Sequence, residues 1–92
     1  MYIKFLYWKD HIVEKIIGRH GIVPEEVEQV IYEGSPEVRR SGKNRYLIYG
    51  QSCAGRYLFI VLEEESKGVF IPITARDMQE SEKQAFKKRY YK

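Results

Sequence analysis

The sequence is most informative first in what it has little of. It holds a single cysteine, Cys53, so no internal disulfide can form and a reducing compartment suits it. Its two histidines, His11 and His20, stand at no ligand spacing with Cys53, so no metal site is expected. No glycine-rich phosphate loop is present, and no cofactor is expected. The longest apolar run, Tyr57–Leu62, falls far short of a membrane span. The opening "MYIKFLYWKD" is too short and too interrupted for a signal peptide. A cytoplasmic protein with no membrane contact is expected. Repeats, low-complexity tracts and linkers are missing too, so residues 1–92 read as one domain with a single modest core.

What is present is an ordinary globular composition, 43% hydrophobic and 32% charged. The net charge of +3 is unevenly laid out. Lys83, Lys87, Lys88, Arg89 and Lys92 place five bases and no acid in the last ten residues. The rest of the chain is slightly acidic, with eleven bases against thirteen acids. Such a block is either a phosphate-binding element or a solvated helix face. Tyr90 and Tyr91 lie inside it, and aromatic rings can stack on bases.

Residues 2–8, "YIKFLYW", read as a first strand. Asp10 is the expected cap of a helix with Val13, Ile16, Ile17 and His20 on one face, closed by Gly21. Pro24, Glu25 and Glu26 open a second helix, with Ile22 stapled onto Val27 and an inner stripe of Val27, Val30 and Ile31. Gly34, Ser35 and Pro36 stop it. Residues 37–45 read as a loop or frayed strand. Three strands follow, at 45–51, 56–63 and 69–75; the nearly all-apolar middle one is expected to be central. Pro72 lacks a ladder donor and predicts an edge position or a bulge. Residues 78–90 read as a closing helix, with Asp77 and Glu80 at capping-box spacing and Met78, Glu82, Phe86 and Tyr90 in one stripe. The order β-α-α-β-β-β-α predicts an α+β domain with a small, mostly antiparallel sheet.

This order, with Trp8, "RHGI" (19–22), "PEEVEQVI" (24–31), "GKNRYLIYGQ" (42–51), "GRYLFIVL" (55–62) and "ITAR" (73–76) before a helix carrying Glu82 and Phe86, resembles the BrnT-like toxins of bacterial and archaeal toxin–antitoxin pairs. That family lies in the wider RelE/ParE-like group, and the resemblance runs over almost the whole chain. It departs at Val23 and Gln79, where hydroxyl residues are usual, and at Pro72 in the last strand. The resemblance implies a RelE-like fold and a cytoplasmic type II toxin that cleaves RNA. It also implies neutralisation by a cognate, BrnA-like antitoxin, with operator DNA contacted only through that antitoxin. The alternative is a non-catalytic module of the same fold that binds an antitoxin, DNA or another protein; gyrase inhibition is a minor third.

Metal-free RNA cleavage needs a base for the 2′-OH, an acid for the departing 5′-oxygen and cations around the pentavalent phosphorus. The resemblance implies that arginine and lysine carry most of this. Arg76, where the last strand hands over to the helix, suits a two-bond phosphate grip; the other reading pairs it with Glu80 or Glu82. Arg56 is a second catalytic candidate or a turn-edge charge, and His20 a proton donor or a core-edge residue. Lys87, Lys88, Arg89 and Arg45 are candidates for the RNA backbone. In a hairpin of the two preceding strands, Arg45 and Arg56 stand at opposite ends and cannot both join Arg76. Tyr46, Tyr49 and Tyr57 read as packing aromatics, the other reading being that one of them stacks a base or supplies a hydroxyl. His11, Lys15 and Arg19 form a solvated stripe, for solubility or an antitoxin contact.

Overall fold

The computed structural model describes residues 2–90. Tyr91, Lys92 and the side chain of Tyr90, part of the basic aromatic block, lie outside the described residues. The elements are β1 (Phe5–Leu6), α1 (Asp10–His20), α2 (Pro24–Glu33), β2 (Glu37–Arg40), β3 (Arg45–Gln51), β4 (Tyr57–Ser66), β5 (Val69–Asp77) and α3 (Glu80–Tyr90). They build one five-stranded sheet in the order β1-β5-β4-β3-β2, antiparallel except for the β1–β5 pair. The α+β class and the central place of β4 are as the apolar pattern predicts.

Strand alternation sorts the side chains into two layers. On one face Ile48, Leu58, Ile60, Leu62, Phe70 and Ala75 meet Ile12 and Ile16 of α1, Ile22, and Val27 and Val30 of α2 to form the core. The other face carries Glu37 and Arg39 of β2, Leu47 and Tyr49 of β3, Tyr57 and Phe59 of β4 and Arg76 of β5. α3 crosses only one end of that face.

Several expectations are corrected. The first strand shrinks to Phe5–Leu6, and residues 37–40 form an edge strand. α1 is capped at Lys9 without a side-chain bond; Asp10 is instead the first helical residue, where its charge faces the positive helix end. The buried stripe of α1 is Ile12 and Ile16, while Ile17 is exposed. Packing against β5 sets that rotation. Gly21 adopts a left-handed φ of 63°, letting its own N–H and that of Ile22 close the helix on Ile17 and Ile16 carbonyls. α3 is capped by Gln79, whose N–H donates to Glu82 Oε1 at 2.7 Å, not by Asp77 with Glu80. Asp77 is still in β5 and has another partner.

Pro72 sits at a bulge: Val61 pairs with Thr74 and Leu62 with Pro72, so Ile73 is the extra residue. Lys15 Nζ donates to the Ile73 carbonyl at 2.8 Å. Lys15 therefore fastens α1 to β5 and does not belong to a free solvated stripe.

Candidate functional site

Arg76 and Asp77 are consecutive in β5 and project from opposite faces of the sheet. This divides the expected site in two.

Arg76 lies on the open face, opposite Phe59, with its guanidinium 4.3 Å from the centre of that ring. Its Nη1 and Nη2 donate to the two carboxylate oxygens of Glu82 at 2.8 and 3.0 Å. Nη1 also donates to the Asp77 carbonyl at 3.0 Å. The side chain is 29% exposed. Hydrogen bonds from Arg76 hold the Glu82 carboxyl below the usual carboxylate range, against partial desolvation. Arg76 is thus a rigid, ring-backed fork that already grips a two-oxygen anion. The pairing with Glu82 was one of the two sequence readings, and it coexists with partial exposure.

Beside this pair an open cleft of about 230 Å³ is lined by Arg39, Tyr49, Ser81, Glu82, Ala85 and Arg89. Tyr49 is its informative member. The Arg39 guanidinium is 5.9 Å from the Tyr49 ring centre, and Tyr49 interacts electrostatically with both Arg39 and Arg76. Among the described residues its hydroxyl has no hydrogen-bond partner. Its ring packs on Phe59, with centroids 5.0 Å apart, and the other two tyrosines lie elsewhere. Tyr46 packs edge-on to Phe70 and donates to Glu64 at 3.5 Å, and Tyr57 lies against Phe86 beneath Lys83 and Lys87. Arg39 was not singled out from sequence, because it sits in a segment that reads as a loop or frayed strand; Tyr49 was one of three sheet aromatics among which the sequence does not choose.

Glu37 closes the far rim of the cleft. It accepts from Arg39 Nε at 2.8 Å and from Arg89 Nε at 2.8 Å. Burial pushes its carboxyl up, but the bonds from Arg39 and Arg89 more than offset this and hold it low. Arg89 therefore bridges α3 to β2. Lys87 lies with its ammonium 5.3 Å from the Tyr57 ring centre, and Lys88 is exposed beside it.

On the core side of the same sheet end, Arg56 forms a different cluster. Its Nε and Nη2 donate to Asp77 at 2.7 and 3.0 Å. Nη1 and Nη2 donate to the carbonyls of Gly21 and His20 at 2.9 and 2.8 Å, and Nη1 reaches Glu26 at 3.4 Å. Arg56 thus ties the end of α1 and the start of α2 to the end of β5. Its bonds keep the Asp77 carboxyl low. His20 contributes its carbonyl here, and its half-buried ring is close enough to influence Asp77. Arg45 pairs with Glu63 at 3.2 Å, four residues along β4 from Phe59, or about 13 Å from the Arg76 row. The sheet therefore sets Arg76 beside Glu82 and Tyr49, with Arg39 and Arg89 lining the cleft that Glu82 and Tyr49 border, and separates it from Arg56, His20 and Arg45.

No protein-family model matches this sequence, and no curated protein matches it. Among solved structures, the chain is similar to the crystal structure of the Brucella abortus ribonuclease toxin BrnT. The TM-score is 0.67 at 14% identity, over 83% of this chain and 97% of that one. At that identity the likeness is one of architecture: this chain has a BrnT-like fold.

Proposed function

We propose that this chain is the toxin of a type II toxin–antitoxin pair and cuts RNA without a metal ion. The observation that carries the reading is the Arg76 fork, braced on Phe59 and paired with Glu82, which lines a cleft with Arg39 and Tyr49. The fold likeness to a ribonuclease toxin supports it. In this reading a backbone phosphate displaces Glu82 from Arg76, since both anions offer two oxygens to one planar fork. The 2′-oxygen then attacks phosphorus as the bond to the 5′-oxygen breaks. Arg76 and Arg39 stabilise the charge that builds on the non-bridging oxygens. In this reading the Tyr49 phenol gives its proton to the leaving oxygen while water takes the 2′-OH proton. Lys87 and Lys88 steer the flanking backbone, in a cytoplasmic setting. A BrnA-like antitoxin neutralises the protein and makes any operator contact.

Purified protein incubated with RNA and a metal chelator is expected to cut it. Arg76→Lys, which keeps the charge and loses the fork, is expected to slow cleavage by roughly 100-fold. Undiminished cleavage by that variant sinks the assignment. One observation favours the second reading, a non-catalytic binding module: Arg76 is already held by Glu82, and Arg39 and Arg89 by Glu37. Intact RNA under every condition, with antitoxin binding retained, establishes that reading instead.

A further inference from the structure

β2 is an edge strand, and its pairing with β3 fixes what the free side presents. The Ser41 N–H donates to the Arg45 carbonyl at 2.8 Å, and the register runs from Arg40↔Tyr46 to Glu37↔Tyr49. Hydrogen-bonded and non-bonded pairs alternate along an antiparallel ladder. Glu37 and Arg39 therefore turn their main-chain groups toward β3, while Val38 and Arg40 turn theirs outward. The Val38 side chain, opposite Ile48, is 39% exposed. With Ile3, Ile31, Pro36 and the 55% exposed Tyr32 it lines a cleft of about 230 Å³. A strand edge and an apolar patch thus lie side by side, uncovered.

We infer that this edge is a self-association surface: β2 of a second copy pairs antiparallel to it, with Val38 opposite Val38. Paired residues must lie on the same face of a continuous sheet, which restricts the possible registers to steps of two. Centring on Val38 sets Glu37 opposite Arg39 of the second copy, and Arg39 opposite its Glu37. Sliding one way sets Arg39 opposite Arg39; sliding the other sets Glu37 opposite Glu37. Like charges directly opposite are destabilising, so charge selects the Val38-centred register. That register is also the one in which the outward N–H and C=O groups of both Val38 residues bond each other. The charges that ordinarily guard an edge strand here exclude slipped pairings and foreign strands while admitting this one. The pairing joins two five-stranded sheets into one continuous face and sets Arg39 of the second copy at the rim of the Glu37 cleft. It does not depend on the ribonuclease reading.

Light scattering on size-fractionated protein, across a concentration series, tests it. The wild-type chain is expected to approach twice its 11.0 kDa mass. Arg39→Glu, which sets Glu opposite Glu, is expected to remain a monomer with native circular dichroism. The double exchange Glu37→Arg with Arg39→Glu is expected to restore the dimer. In a Cys53→Ser background, Val38→Cys is expected to form an intermolecular disulfide on oxidation, because the Cα separation of a bonded pair, about 5.5 Å, suits one. A wild-type chain that stays monomeric up to the solubility limit overturns the inference. So does a dimer that Arg39→Glu leaves intact, or a folded double variant that stays monomeric.

Discussion

Replacing Arg56 by methionine separates a structural bolt from a catalytic group. Methionine keeps most of the apolar stem and removes every donor. The lost bonds are two to Asp77, one each to the His20 and Gly21 carbonyls, and a long one of 3.4 Å to Glu26. The Asp77 side chain is 56% exposed, so that ion pair contributes only about 0.2–1 kcal/mol after solvent screening. The two carbonyl bonds come from a charged donor that is 30% exposed, and together contribute about 2 kcal/mol. The total, about 2–3 kcal/mol, lowers the melting temperature of a domain this size by roughly 10–20 °C. The pH dependence has a definite sign. The folded-state pKa of Asp77 is depressed, so its contribution is complete above the unfolded value of about 3.9 and is lost as pH falls through the folded value. The deficit of Arg56→Met is therefore largest near neutrality and shrinks in acid, where the carbonyl bonds alone remain to be lost. Thermal unfolding followed by circular dichroism at neutral and acid pH, beside RNA cleavage measured well below the transition, checks both parts. A variant that melts with the wild type yet no longer cuts RNA would refute the reasoning and return Arg56 to the active site.

Two further outcomes follow from the packing. A Cβ added at Gly50 would lie 2.6 Å from Val30 Cγ1 and 3.1 Å from Pro36 Cβ, where α2 approaches β3 most closely. Gly50→Ala is thus expected to cost about 1–3 kcal/mol, measured by urea titration, because Val30 is fully buried and has little room to yield. Among the described side chains of α3, Phe86 is the one buried apolar one, at 2% exposure, among mostly polar positions. Phe86→Ala is expected to release α3 locally, so that hydrogen exchange accelerates in residues 80–89 while β3, β4 and β5 stay protected. Equal acceleration throughout the sheet would show that α3 is part of the global unfolding unit.

How far the sequence alone leads depends on which interaction decides each feature. β3 begins and ends where the sequence pattern places it, because partial alternation and flanking turns act locally. The bulge at Pro72 is equally local: a missing N–H leaves few places in a sheet. The rotation of α1 is less legible. Val13, Ile16 and Ile17 form as good an apolar stripe as Ile12 and Ile16, and contact with β5 selects between them. β2 is less legible still, since Arg39 and Arg40 look like loop residues and only a neighbouring strand makes an edge of them.

The arginines show the same limit where function is at stake. Arg56 and Arg76 both lie next to a strand end, both are paired to a carboxylate and both are about 30% exposed. What distinguishes them is the face of the sheet. Strand parity sends Arg76 to the side that α3 covers only in part, beside an aromatic ring and an unbonded phenol. Arg56 meets Asp77 and helix-terminal carbonyls, which together take up its donors. Parity is readable from sequence once strand limits are known, but the path of α3 is not. Its few apolar positions say little about where it docks; Glu82 on Arg76 and Arg89 on Glu37 fix that. The carboxylates that hold α3 in place also occupy the guanidinium groups a phosphate would need. Substrate entry and loosening of α3 are therefore competing claims on the same forks; a phosphodiester carries the same single charge as a carboxylate, so it gains the advantage only as charge builds on its oxygens in the transition state.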